Sequence, residues 1–141
     1  MRPLNQVSLP LLNDYNQAHF PAPRPDFLKA WVAQPGHLGG AFIEEDRLMG
    51  YGVIRSCLEG FKVGPLFANN PEVAQHILYY LLAATPEATV LIDVPVPNKL
   101  GLKLIQPFQP QKVFACARMY TQKAPDLNLQ NIFGLNSFEL G

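Results

Sequence analysis

Gly60-Phe61-Lys62-Val63-Gly64-Pro65-Leu66-Phe67-Ala68 runs through Asn69-Asn70 into Pro71-Glu72-Val73-Ala74-Gln75-His76-Ile77-Leu78-Tyr79-Tyr80-Leu81-Leu82, and the change in apolar spacing between the two parts decides how the chain folds. Phe61, Val63, Leu66 and Phe67 predict an apolar strand bent near Gly64-Pro65. Asn70 suits a helix N-cap, because its short side-chain oxygen can accept from an amide of the first turn. Pro71 fits the first helical position, where its fixed φ is already helical and its missing N–H would have had no partner. Glu72 complements the positive end of the helix dipole. Val73, Ile77, Tyr80 and Leu81 recur at helical spacing, widened by Ala74, Leu78 and Leu82, so this helix is expected to lie on a sheet with most of its girth buried. A helix that starts directly after a strand points several backbone N–H groups outward, an arrangement suited to holding phosphate. Fold alone does not establish that use.

Downstream, Ala88 to Val94 is almost wholly apolar and reads as a central strand buried on both faces. Asn98 opens a short helix through Leu100, Leu104 and Ile105 that stops before Pro107. Lys112 to Tyr120 is the last clear strand, with Val113, Ala115 and Ala117 alternating against Phe114, Cys116 and Arg118. The tail beyond Ala124 carries Ile132, Phe133, Leu135, Phe138 and Leu140, too much apolar surface for a disordered end, and is expected to pack back with one more strand.

Upstream, Leu38–Ile43 and Gly50–Arg55 flank the charged segment Glu44-Glu45-Asp46-Arg47 and predict a β-hairpin that continues into the bent strand as an antiparallel meander. Ser8 caps a first helix through Leu11, Leu12 and Tyr15 toward His19; Pro25 opens a second, with Phe27, Leu28, Trp31 and Val32 inward and Gly36 at its end. The 141 residues, 48% of them hydrophobic, suffice for one core and not two, giving an α+β domain with a helical region at 1–36, a sheet core at 37–123 and a packed tail at 124–141.

Eleven basic residues balance eleven acidic ones, so no chain-wide field draws in nucleic acid or an anionic membrane. No apolar run reaches the span of about 20 residues needed to cross a bilayer, and the start lacks a secretory pattern, which predicts a cytoplasmic protein. Cys57 and Cys116 lie far apart without metal-ligand spacing and read as buried reduced thiols. His19, His37 and His76 likewise show no ligand spacing and read as surface or half-buried residues, while Trp31, Tyr79 and Tyr80 read as core.

The order helix, helix, hairpin, strand, helix, strand, helix, strand resembles the GNAT acyltransferase fold. Carrying the resemblance are Gly50-Tyr51-Gly52 with Arg55, the stretch Gly60 to Ala68, Asp93-Val94-Pro95 with Asn98, Arg118-Met119-Tyr120, and the closing Ser137-Phe138-Glu139-Leu140-Gly141. Together they resemble the GNAT-like domain found at the C-terminal end of larger bacterial acetyltransferase-family proteins. The resemblance implies a mostly antiparallel sheet with a splayed parallel pair and flanking helices. It also implies an acetyl-CoA site between the strands ending at Ala68 and Val94. Its phosphate loop would comprise Asn69, Asn70, Pro71, Glu72, Val73 and Ala74, and its pantetheine edge Gly64 to Phe67, including Leu66. In the family, Asn-x-x-Ala-x-x-Leu-Tyr places a tyrosine that protonates the leaving thiolate; here Asn98-x-x-Gly101-x-x-Leu104-Ile105 has isoleucine in its place, so Tyr120 or a water would have to substitute. The loop also lacks the family's glycines, and there is no Lys or Arg from Val63 through Asn98.

A base for an attacking amine would come from Glu44 or Glu45 at the hairpin, where a solvated turn is the plainer reading, or from Asp93 at a strand's C-terminal end, where open sheets bind ligands. Asn98 either bonds a cofactor amide or caps its helix, and Arg118 is expected to pair with Glu139. Two functions follow. One is an N-acetyltransferase acting on a small amine; the other is a non-catalytic GNAT-like module that binds a ligand or packs on a partner GNAT domain. The short segment before the first helix also suits a homodimer that borrows a strand edge, or a chain that is part of something longer.

Overall fold

The computed structural model describes residues 1–139; Leu140 and Gly141, counted above in the tail and its closing motif, lie outside the described residues. The chain starts with a two-residue strand β1 (Arg2–Pro3) that pairs with Ala41 and Gly40, then a 3₁₀ turn at Leu4–Gln6. Helices α1 (Leu9–Gln17) and α2 (Pro25–Ala33) follow, and the Gly36 backbone at φ 82 turns the chain into the sheet. Strands β2 (His37–Glu44) and β3 (Arg47–Cys57) form the hairpin around Glu45 and Asp46, both with positive φ. Strand β4 (Gly60–Ala68) lies antiparallel to β3, from Gly50 opposite Ala68 to Cys57 opposite Gly60.

Helix α3 (Pro71–Leu82) starts as its sequence dictates, with Asn70 Oδ1 accepting from the Val73 amide at 2.9 Å. Its stripe of Val73, Ala74, Ile77, Leu78 and Leu81 packs on one face of the sheet with Ile54, Val63, Leu66 and Phe133. Glycines make this close approach possible: a Cβ added at Gly52 would stand 3.0 Å from both Ile77 and Leu81. The opposite face buries Leu4, Leu12, Leu28, Ala41, Tyr51, Val53, Phe67 and Ile132 under α1 and α2. Alternation along β4 thus sends Leu66 to one core and Phe67 to the other.

Strand β5 (Val90–Ile92) runs parallel to β4, from Phe61 opposite Val90 to Val63 opposite Ile92. The fold is therefore a mostly antiparallel sheet with one parallel pair and helices on both faces, in the order β1-β2-β3-β4-β5. Helix α4 (Lys99–Ile105), a 3₁₀ turn at Gln106–Phe108, a second at Leu129–Asn131 and β6 (Ile132–Gly134) complete it.

Three expectations are corrected. Strand β5 is three half-buried residues at the end of the strand path, not a long central strand, because β4 pairs with it only along its first half. Lys112–Tyr120 alternates like a strand but lies exposed without strand pairing, its Phe114 ring packing edge-on against Phe138 at 5.5 Å. Cys116, on that segment, is exposed, and Cys57, at the end of β3, is half-buried, so the two thiols expected to be buried are not.

Candidate functional site

The second half of β4 is where the sheet would open for a ligand, because β5 stops at Ile92 while β4 continues to Ala68. That edge is taken by the chain itself. β6 pairs antiparallel with it, Leu66 opposite Gly134 and Phe67 opposite Ile132. Beyond β6, the Leu135 amide donates to the Asp93 carbonyl at 3.0 Å, bridging to the end of β5. A Cβ added at Gly64 would collide with the Leu135 carbonyl oxygen and lie 2.8 Å from that of Asn136. Of the proposed pantetheine edge, Gly64, Leu66 and Phe67 thus already face protein backbone.

The loop after β4 is equally committed. The Asn69 amide donates to the Met49 carbonyl at 2.9 Å, the Val73 amide to the Asn70 side chain, and the Ala74 amide to the Asn70 carbonyl at 3.1 Å. Pro71 has no N–H. The Asn69 side chain accepts from the Tyr15 hydroxyl at 2.8 Å, which ties the loop to α1. Few amides remain for an anion, and Glu72 adds negative charge at the mouth.

Asn98 is fully buried and its polar atoms are spent. Oδ1 caps α4 through the Gly101 amide at 2.9 Å, while Nδ2 donates to the Ile132 carbonyl at 2.8 Å and the Gln130 carbonyl at 3.1 Å. It clamps the tail against α4. Asp93 Oδ2 pairs with Lys62 Nζ at 2.6 Å, beneath the Phe138 ring that covers the ammonium at 5.2 Å. Glu44 lies on β2, across β3 and β4 from Asp93, a lateral separation of about 14 Å over three strand spacings. Tyr120 stands on the exposed arm, where its hydroxyl accepts from Arg118 Nη1 at 3.5 Å. Arg118 therefore meets Tyr120; among the described residues no ion pair joins it to Glu139. Among the described residues no hydrogen bond or ion pair joins Asp93, Glu44 and Tyr120 to one another. Nor do the described residues hold a group of three His, Cys, Asp or Glu fit for a metal, or a helix long and apolar enough to cross a membrane.

A polar cluster that the periodicity gave no sign of lies under α1. The Tyr51 hydroxyl donates to Asn16 Oδ1 at 2.8 Å, and the Tyr15 hydroxyl reaches the Met49 carbonyl at 3.0 Å as well as Asn69. Burial pushes both tyrosines well above the usual phenol range. His19, expected at or near the surface, is buried: its ring stacks on Phe67 at 4.8 Å and Nδ1 donates to the Tyr15 carbonyl at 2.9 Å. Burial draws its pKa down, offset in part by that hydrogen bond. Arg24, layered between Phe20 and Phe27, donates to Asn136 Oδ1 at 3.0 Å and so joins the cluster to the tail. The only sequence signal for this cluster is the placing of Tyr15, Asn16 and His19 along α1, which face inward once α1 sits on the sheet.

Residues 12–134 match the Acetyltransferase (GNAT) domain family. Holothin acyltransferase from Pseudoalteromonas sp. (strain SANK 73390) is 30% identical over 120 residues, which make up 84% of this chain and 41% of that protein. A solved structure assigned as an acetyltransferase from Pyrococcus horikoshii superposes with TM-score 0.79 at 25% identity, covering 99% of this chain and 45% of the other. A second solved structure, of a probable acetyltransferase, shares the fold with TM-score 0.56 at 18% identity, covering 84% of this chain and 90% of that one. The chain spans less than half the length of the holothin and Pyrococcus proteins.

Proposed function

Since the chain belongs to the GNAT acetyltransferase domain family, we propose that it serves acyl transfer as a non-catalytic GNAT-like module that steadies a catalytic partner domain. The observation that carries this reading is the pairing of β6 with the second half of β4, which leaves no edge for a pantetheine arm. The residues present do not fit acetyl-CoA in that position: Gly64 faces the Leu135 carbonyl, the loop amides are bonded, and no cation follows Lys62 until Lys99. Isoleucine at 105 agrees, since it has no proton to give. The two longer relatives support the partner, because more than half of each lies outside the region of likeness.

The catalytic reading, an N-acetyltransferase moving acetyl from acetyl-CoA to a small amine with Asp93 as base, needs two rearrangements. Ile132–Asn136 must leave β4, and Asp93 must leave Lys62. A cytoplasmic setting belongs to the proposal, as the exposed Cys116 stays a thiol only where conditions are reducing. Thermal unfolding with increasing acetyl-CoA tests the reading. The module leaves the midpoint unchanged and releases no CoA with a panel of amines. A midpoint that climbs with ligand concentration, as mass action requires of a ligand bound to the folded state, overturns it.

A further inference from the structure

We propose that the polar cluster under α1 is a binding site for a small carboxylate, held by the side-chain amides of Asn16 and Asn136 beside the Arg24 guanidinium. Asn16 is 1% exposed and Asn136 0%, and in each the side-chain oxygen is engaged while Nδ2 has no hydrogen-bond partner among the described residues. Exchanging oxygen and nitrogen does not rescue Asn136, because Arg24 Nη2 can only donate and needs the oxygen where it is. Buried N–H groups left unmade cost their desolvation with nothing returned, so two in one cluster point to an occupant that brings acceptors.

The two amides belong to one network. Asn16 Oδ1 accepts from the Tyr51 hydroxyl at 2.8 Å, and Arg24 Nη2 donates to Asn136 Oδ1 at 3.0 Å, across 112 positions of sequence. Arg24 stands near enough to Tyr51 for its charge to offset part of the burial that raises the phenol's pKa. The donor set chooses the occupant: amide N–H groups and a cation suit a negative, acceptor-only group, whereas a water would have its own protons to place. A carboxylate offers two oxygens in one plane, one for each amide. The Phe20 and Phe27 rings, 3.6 and 4.7 Å from the Arg24 guanidinium carbon, shield that charge from water and so strengthen its pull. Exposed Pro21, Ala22 and Pro23, between α1 and Arg24, give a small ion its way in. Asn136 follows β6, so the site rests on the tail lying against β4, and a bound carboxylate would lock that tail in place.

Side-chain amide NMR on isotope-labelled protein tests this, with sodium acetate titrated against sodium chloride at equal ionic strength. The Asn16 and Asn136 signals are expected to shift together and saturate with acetate, and the melting temperature to rise with it; chloride should do neither. Arg24→Gln and Asn136→Leu are each expected to weaken acetate binding roughly tenfold or more. The wild-type titration decides the matter even where a variant does not fold. Asparagine signals that ignore acetate overturn the site, as does acetate binding that Arg24→Gln leaves unchanged. Signals that respond to inorganic phosphate instead of acetate overturn the carboxylate assignment. Amide exchange at Leu66 and Ile132–Gly134 in the same samples separates the premises: slow exchange with silent asparagines overturns the site alone, and fast exchange overturns the placing of the tail with it.

Discussion

Phe133 and Phe114 belong to the same run of chain after α4, yet Phe133 is 1% exposed and Phe114 is 68% exposed. Both sit in short apolar segments with strand-like alternation. They differ in the edge available to them. Ile132–Gly134 meets the half of β4 that β5 leaves uncovered, and Asn98 holds its carbonyl from behind. Lys112–Tyr120 pairs with no strand, and its Phe114 meets the Phe138 ring instead, so its backbone groups face solvent. Strand formation here is decided by the supply of edges, and apolar content only makes a segment eligible. The same accounting governs function: whatever fills the β4 edge excludes anything else that would pair there.

Phe133→Ala should break the occupied side most severely. Its ring lies between β4 and α3, and truncation should cost about 4 kcal/mol, read from urea unfolding. Next comes Gly64→Ala, whose methyl meets the Leu135 carbonyl; backbone must move, for about 3 kcal/mol. A negligible cost would mean the tail does not lie where the structure has it. Asn98→Ala removes the α4 cap and the tether to Gln130 and Ile132 together, and should cost about 2 kcal/mol.

His19 gives a smaller, pH-dependent effect. Its folded pKa lies below the unfolded value of about 6.5, so above that value its neutral ring leaves stability unaffected. As pH falls through about 6.5 the unfolded state takes up the proton first, and stability declines until the folded pKa is passed. His19→Asn keeps a donor near the Tyr15 carbonyl but does not titrate, so the acid-side slope of unfolding free energy should shrink; an unchanged slope assigns the loss to other groups. At the small end, Phe114→Ser, at an exposed ring beside Phe138, should alter stability by no more than about 0.5 kcal/mol. A cost near that of Phe133→Ala would show that the Phe114–Phe138 contact holds the arm far more firmly than the exposure of Phe114 suggests.

Much of the fold was legible because it is locally specified. Asn70-Pro71 and the stripe from Val73 to Leu81 define α3 with nothing else needed, and the hairpin flanking Glu45-Asp46 follows from two apolar runs around a charged turn. What the sequence did not reveal depends on distant partners. The length of β5 was overestimated from Ala88 to Val94, because apolar composition says nothing about how far β4 will accompany a strand. The pairing of β6 follows from that shortfall and joins residues about 65 positions apart, at a loop-closure cost that grows only slowly with length. The candidate site suffered in the same way. Asp93 was read as a base from its position, whereas Lys62 engages it in three dimensions; of the two readings left open for Asn98 the helix cap is the one that forms, and the carbonyls of Gln130 and Ile132 take up its amide. The Tyr15, Asn16 and Tyr51 cluster was hidden because its members only meet once α1 lies across β3.

Amide hydrogen exchange at Leu66, Phe67 and Ile132–Gly134, with and without acetyl-CoA, tests most directly that the chain's own tail fills the β4 edge. Exchange there should be slow, at the rate of global unfolding, and unaffected by the ligand. Rapid exchange in the free protein that becomes slow when acetyl-CoA is added would contradict the account, because it would mean that the edge is open and that the cofactor closes it.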